Sequence, residues 1–185
     1  VHAGTRLAAG LVAMADEREG HLDESGRFDP PYDTIHIGKF HGGIARNILA
    51  DRADLSWEVR TLPGSDPAEV PARFARLSDE VLARMRKTAP SAAIETVMSS
   101  DVPGLAPDPG SEAETLVMRL AGRNRTIAVA YATEAGHFQR AGLPTIVCGP
   151  GSIDQAHQPD EYITLEQFAA GEAFMRRLLA ECRVG

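Results

Sequence analysis

Residues 54–62 read Asp-Leu-Ser-Trp-Glu-Val-Arg-Thr-Leu, and their alternation decides how the first half of the chain folds. Leu55, Trp57, Val59 and Thr61 fall on one side of an extended backbone; Ser56, Glu58 and Arg60 fall on the other. Such a segment is a half-buried antiparallel strand. Pro63-Gly64 ends it. Directly afterwards Asp66 offers an N-cap, Pro67 fits a first helical position, and Glu69 stands three residues past the cap. This predicts a helix with Val70, Phe74, Leu77, Val81, Leu82 and Met85 along one face, with Pro71 an irregularity in its first turns.

Working outward, residues 32–40 read as a second extended stretch that closes at Gly42-Gly43. Leu7, Leu11 and Met14, with Val12 beside them, mark a helix over residues 5–19 that stops at Gly20. Residues 92–98 predict another strand. The order is therefore α-β-β-α-β, and one strand in front would complete βαββαβ, the split βαβ unit. The sequence opens at Val1, without Met and with no N-cap signal before its first helix. The expectation is that upstream sequence belongs before it.

Residues 102–109 hold three prolines and a glycine, which predicts a domain junction. Beyond it the pattern turns to α/β alternation. Ser111 and Glu114 form a capping box for a helix through Leu120, closed by Gly122. Short strands are predicted at 126–131 and 143–148, joined through a helix at 133–140, which makes them a parallel pair. Thr164 and Gln167 form a second capping box for a last helix with Leu165, Phe168, Met175, Leu179 and Cys182 on one face. The fold class is α/β in the broad sense: an α+β region over 1–101 and a partial α/β region over 102–185. Two parallel strands are too few for a stable sheet, so the second region reads as part of something larger.

The bulk properties narrow the function. The 185 residues are 43% hydrophobic with a formal net charge of -7. No basic run stands out, which argues against a nucleic-acid partner. The acidic balance leans weakly towards cationic small molecules. No apolar run approaches membrane-spanning length and no signal peptide is visible. Cys148 and Cys182 form no C-x-x-C pair and read as reduced, buried thiols of a cytoplasmic protein.

Four places can carry chemistry. Gly149-Pro-Gly-Ser-Ile-Asp-Gln-Ala-His157 follows a predicted buried strand, where ligands of α/β sheets gather. There Gly149 and Gly151 let backbone approach a ligand, with Ser152 beside them, and His157 is a metal-ligand type of residue in a polar loop. One histidine makes no metal site, and a turn with a surface histidine explains the same residues. His41-Gly-Gly-Ile-Ala-Arg-Asn47 puts a histidine and an amide at a strand end. Both can donate to a developing oxyanion; a hairpin turn with polar edges is the plain alternative. Arg60 suits a substrate carboxylate, or a cross-strand ion pair with a neighbouring acid. Thr133 and Glu134 sit where a strand meets a helix, where they cap the helix or bind an anion or a substrate ammonium group.

Taken together, His41-Gly-Gly-Ile-Ala-Arg-Asn-Ile48, Trp57-Glu-Val-Arg-Thr-Leu-Pro-Gly64, Tyr131-Ala-Thr-Glu-Ala-Gly136, Gly142-Leu-Pro-Thr-Ile-Val-Cys-Gly-Pro-Gly-Ser152 and His157-Gln-Pro-Asp-Glu-Tyr162 resemble the co-catalytic zinc amidohydrolases. That family includes acetylornithine deacetylase, succinyl-diaminopimelate desuccinylase and carboxypeptidase G, and the last combination is most similar to the acetylornithine deacetylases. The resemblance implies that 1–101 is the βαββαβ lid, or dimerisation, domain lacking its first strand, and that 102–185 is the C-terminal part of the catalytic domain. It implies His157 as the final metal ligand. It implies His41 as a lid histidine that reaches the partner subunit's active site and stabilises the tetrahedral intermediate. Asn47 and Arg60 become substrate contacts, Thr133 and Glu134 fall in a matching stretch, and Gly149, Gly151 and Ser152 line the pocket.

The implied cofactor is zinc, two ions per intact site, with cobalt possible. The implied reaction releases acetate and ornithine from N2-acetylornithine, in arginine biosynthesis. The family's other metal ligands and its general-base glutamate lie upstream of the lid, so this chain alone is expected to bind the metals incompletely and to be inactive. The expected partners are an acetylated amino acid and a second copy of the chain. Two other readings stay open: a dimerisation module without catalysis, and a sister deacylase or dipeptidase.

Overall fold

A computed structural model describes residues 1–156 and 158–183. The elements run α1 (His2–Arg18), β1 (Thr34–Gly42), β2 (Ala53–Arg60), α2 (Glu69–Arg86), α3 (Glu112–Ala121), α4 (Ala135–Arg140) and α5 (Leu165–Glu181). The chain divides into two compact units: Val1–Gly104 with Ala128–Ala132, and the remainder.

In the first unit β1 and β2 form an antiparallel pair, and α1 and α2 pack against one of its faces. Leu7, Leu11, Phe74 and Val81 are buried together, with Ile35, Ile37, Leu55, Trp57, Leu77 and Met85 packed against them. The Trp57 and Phe74 rings meet at a centroid distance of 4.8 Å and an interplanar angle of 49°, a tilted contact of the kind aromatic pairs favour. The alternation of residues 54–62 thus does what its pattern predicts.

Register on β1 depends on one extra residue. Ile37 pairs with Trp57 and Lys39 with Ser56, so Gly38 bulges out of the ladder. A side-chain period of two means that a one-residue insertion exchanges the faces beyond it. Ile35 and Ile37 face the helices before the bulge. After it Phe40 takes that side, opposite Leu55, while Lys39 and His41 turn to the open face. Phe40 then meets α1 at Gly4, where even a Cβ would stand 2.8 Å from the ring.

α2 begins later than its capping pattern predicts. Its N-cap is Ala68, with no side-chain cap bond. Asp66 Oδ1 accepts from Ala68 N at 2.9 Å, closing a turn ahead of the helix. Glu69 does not reach back towards Asp66; its carboxylate lies 2.5 Å from Arg18 Nη2 on α1. The late start also resolves the Pro71 irregularity. Pro71 falls in the first turn, where no backbone N–H is needed for the helix.

Beneath β1 lies a buried carboxylate that sequence reading did not single out. Asp33 is 6% exposed. Its Oδ1 accepts from Leu62 N at 2.7 Å and from Ser65 Oγ at 2.8 Å, and its Oδ2 stands 3.7 Å from Arg18 Nη1. It ties the entry of β1 to the exit of β2 and to the end of α1.

The three remaining predicted strands do not form. Residues 92–98 make no ladder, although Ile94 packs on the core of the first unit. Residues 126–131 and 143–148 are likewise without a ladder and are largely exposed. Parallel strands need neighbours and cover on both faces. Among the described residues the sheet therefore has two strands, and the broad class stays mixed helix and strand.

The second unit is held by local signals. Ser111 accepts from Glu114 N to cap α3, and Gly122 closes it in the left-handed conformation, φ 63°. Thr164 and Gln167 complete a capping box on α5. Arg119 grips Glu181 with two hydrogen bonds, 2.7 and 3.0 Å, joining α3 to α5. Gln139 pairs with both backbone groups of Ala106 at 2.9 Å. The apolar stripe of α5 forms but is not covered: the helix has no buried residue, and Leu165 is 88% exposed. Cys148 and Cys182 are free and exposed, not buried as expected. No described helix is long and apolar enough to cross a membrane.

Candidate functional site

The open face of the β1–β2 pair is polar. His36 stands opposite Glu58, Lys39 opposite Ser56, His41 opposite Asp54, and Thr34 opposite Arg60. The hairpin bulge puts His41 here, exposed, one residue before the end of β1. Asp54 takes a bidentate grip from Arg52. That hydrogen bond holds the Asp54 carboxyl below its ordinary value, with desolvation opposing and His41 adding a smaller electrostatic pull. Asn47 lies in the loop beyond, exposed, beside Ile44 and Leu49, which are 86% and 96% exposed. Gly43, at φ 76°, turns the chain out of β1.

Arg60 sits at the other end. It closes β2, while His41 pairs near the start of that strand. Six strand steps separate Asp54 from Arg60, roughly 20 Å. His41 and Asn47 share the tip of the hairpin, and Arg60 occupies its base, so one chain does not gather the three. The Arg60 Nε donates to Glu58 Oε1 at 3.0 Å and its Nη1 to the Ala130 carbonyl at 3.3 Å. The expected ion pair with a neighbouring acid is present, but along the strand and not across it.

In the second unit Thr133 Oγ1 accepts from Ala135 N at 3.2 Å and caps α4 from one residue before its N-cap. Glu134 is that N-cap; it is exposed and makes no side-chain cap bond. The loop holding Gly149, Gly151 and Ser152 is exposed. Gly151 takes φ 101°, a backbone region that favours glycine. Ser152 Oγ donates to Asp154 Oδ2 at 3.1 Å and accepts from Asp154 N at 3.2 Å. Sequence reading missed what seats this loop. Gly171, inside α5, lets Pro150 lie directly on the helix; a Cβ there would stand 3.0 Å from Pro150 Cγ. The signal was available, because a glycine inside a helix is costly and calls for a packing reason.

His157, the expected metal ligand, lies outside the described residues. Among the described residues no three His, Cys, Asp or Glu side chains come together as a metal-binding group. The residues described therefore do not fit a zinc centre.

Residues 1–86 match the family described as Peptidase dimerisation domain. Over this stretch the first unit is similar to a peptidase dimerisation domain. The match takes in α1, β1, β2 and α2, the whole two-layer arrangement described above. It fits the M20 family of metallopeptidases and deacylases, which are hydrolases and typically use zinc. A peptidase dimerisation domain supports a homodimer.

Proposed function

We propose that the protein is the dimerisation domain, residues 1–101, and the C-terminal part of the catalytic domain, residues 102–185, of a zinc-dependent amidohydrolase that removes acetyl from N2-acetylornithine. The observation that carries this reading is the match of residues 1–86 to the peptidase dimerisation domain. The choice of substrate rests on the resemblance of 131–162 to acetylornithine deacetylases. Two zinc ions, or cobalt, belong to the intact site in this reading, with His157 as one ligand. In this reading the 185 residues alone hold the metals incompletely and do not turn over the substrate.

The hairpin suggests how its residues divide. His41 and Asn47 at the tip and Arg60 at the base are too far apart to act on one small amino acid. In a homodimer the tip serves the partner's pocket, where His41 donates to the oxyanion, and the base serves a different one, where Arg60 takes the substrate carboxylate. Thr133, Glu134, Gly149, Gly151 and Ser152 are substrate contacts in this reading, with Glu134 the acid for a cationic side chain.

The test has two arms. The 185-residue chain, supplied with zinc or cobalt and N2-acetylornithine, is expected to release no acetate; robust turnover overturns the inactivity. The whole gene product is expected to cleave N2-acetylornithine in preference to a succinylated substrate or a dipeptide. A preference for either of those sinks the substrate assignment.

A further inference from the structure

We infer that Glu58 is a positioning residue that fixes the Arg60 guanidinium for a ligand carboxylate; this rests on the reading of Arg60 as a carboxylate site. A guanidinium carries five N–H groups in a rigid planar fork. In Arg60 the single Nε–H goes to Glu58 Oε1 at 3.0 Å, and one Nη1–H goes to the Ala130 carbonyl at 3.3 Å. Among the described residues Nη2 has no partner. Two anchors on different nitrogens fix the plane of the fork and leave the Nη2 protons outside both bonds.

The pair does little for the fold. Both side chains are at least half exposed, and ion pairs in that setting add little to stability. What the contact does is remove rotamer freedom from a long side chain before a ligand arrives. A freely rotating arginine must be ordered at binding, and that cost is subtracted from affinity. The position also suits the role. Glu58 and Arg60 share the open face of β2, two residues apart, while Val59 between them points into the core side of the sheet. The strand therefore holds the two backbones at a fixed spacing, and only the side chains need to meet.

Glu58 could oppose this in one way, because its charge also repels an incoming carboxylate. Glu58→Gln and Glu58→Ala separate the two effects. Both remove the charge; only glutamine keeps an oxygen that accepts from Nε. The experiment follows the arginine side-chain N–H signals of the 15N-labelled 185-residue chain by NMR during titration with sodium acetate, with sodium chloride at equal ionic strength as reference. The Arg60 signal, assigned by its loss in Arg60→Ala, is expected to shift with acetate and not with chloride. Glu58→Gln is expected to bind acetate at least as tightly as the parent, and Glu58→Ala roughly threefold to tenfold more weakly than Glu58→Gln. Equal affinity of the two variants overturns the inference, and so does an Arg60 signal that ignores acetate. If Arg60 responds as expected but the whole gene product does not cleave acetylated amino acids, the deacetylase reading falls and the role of Glu58 stands.

Discussion

Replacing Asp33 with alanine removes a carboxylate that three segments share. Its Oδ1 accepts from Leu62 N at 2.7 Å and Ser65 Oγ at 2.8 Å. Both donors lose a charged acceptor in a part-buried setting. Hydrogen bonds to charged groups contribute about 1.5–3 kcal/mol each, and neighbouring bonds to one oxygen do not add fully. Arg18 keeps Glu69 as a partner at 2.5 Å, so the guanidinium is not stranded and adds little to the loss. The expected cost of Asp33→Ala is about 3 kcal/mol, a large share of the ~5–15 kcal/mol that holds a domain together. Asp33→Asn keeps an acceptor oxygen in place and is expected to cost about 1 kcal/mol. Urea titration followed by Trp57 fluorescence measures this. Trp57 is the only tryptophan and packs in the core of the first unit, so it reports that unit and not the other. The midpoint should fall while the slope stays constant. A loss for Asp33→Ala below about 0.5 kcal/mol, the range of an ordinary surface substitution, would refute the reasoning. So would an asparagine variant as weak as the alanine one, since charge rather than hydrogen bonding would then be what matters.

Phe74→Ala should destabilise the first unit by about 3–5 kcal/mol, read as a loss of the folded baseline in the same fluorescence titration; a shift of the size of a surface mutation would show that the Trp57–Phe74 contact is not part of the core. Deleting Gly38 should turn the bulge into a regular ladder that keeps Ile37 and Phe40 under the helices and His41 on the open face; circular dichroism and Trp57 emission should stay native-like, and an unfolded or aggregated hairpin would mean that the bulge itself is required. The Glu69 carboxyl is held below its ordinary value, first by its hydrogen bond with Arg18. A depressed folded pKa gives stability that is fully present above the unfolded value, about 4.3, and lost as pH falls through the folded one. Acid unfolding of the first unit should therefore steepen below about pH 4.3, and Glu69→Gln should flatten that limb; an unchanged acid limb would remove Glu69 from it.

What could be read from the residues alone follows the range of the interactions involved. The caps of α3 and α5 were legible because Ser111, Gly122, Thr164 and Gln167 bond within four residues of themselves. The α2 start was misplaced because Glu69 had a better partner than the local backbone, on a helix fifty residues earlier. Residues 92–98, 126–131 and 143–148 have strand-like composition, yet a strand exists only through its neighbour, and no local pattern supplies one. The Gly38 bulge is invisible without a register, and it alone decides which way His41 points. At the candidate site the positions of His41 and Asn47 near a turn were foreseen. Their separation from Arg60 was not, since it follows from the pairing of Thr34 with Arg60 at the far end of the ladder. The contact of Gly171 with Pro150 spans twenty-one positions and leaves only an unexplained helical glycine as its trace.

That last contact makes α5 a template for the Gly149–Ser152 loop. The loop has no ladder and little burial to hold its shape, so the bare backbone at Gly171 works as a socket for one proline ring. Loop geometry can then be adjusted from a position that never touches a ligand. Filling the socket with a leucine would lift Pro150, and Gly151 and Ser152 with it, while leaving every loop residue unchanged in identity. Variation at a helix glycine would in that way tune the loop as directly as variation in the loop itself.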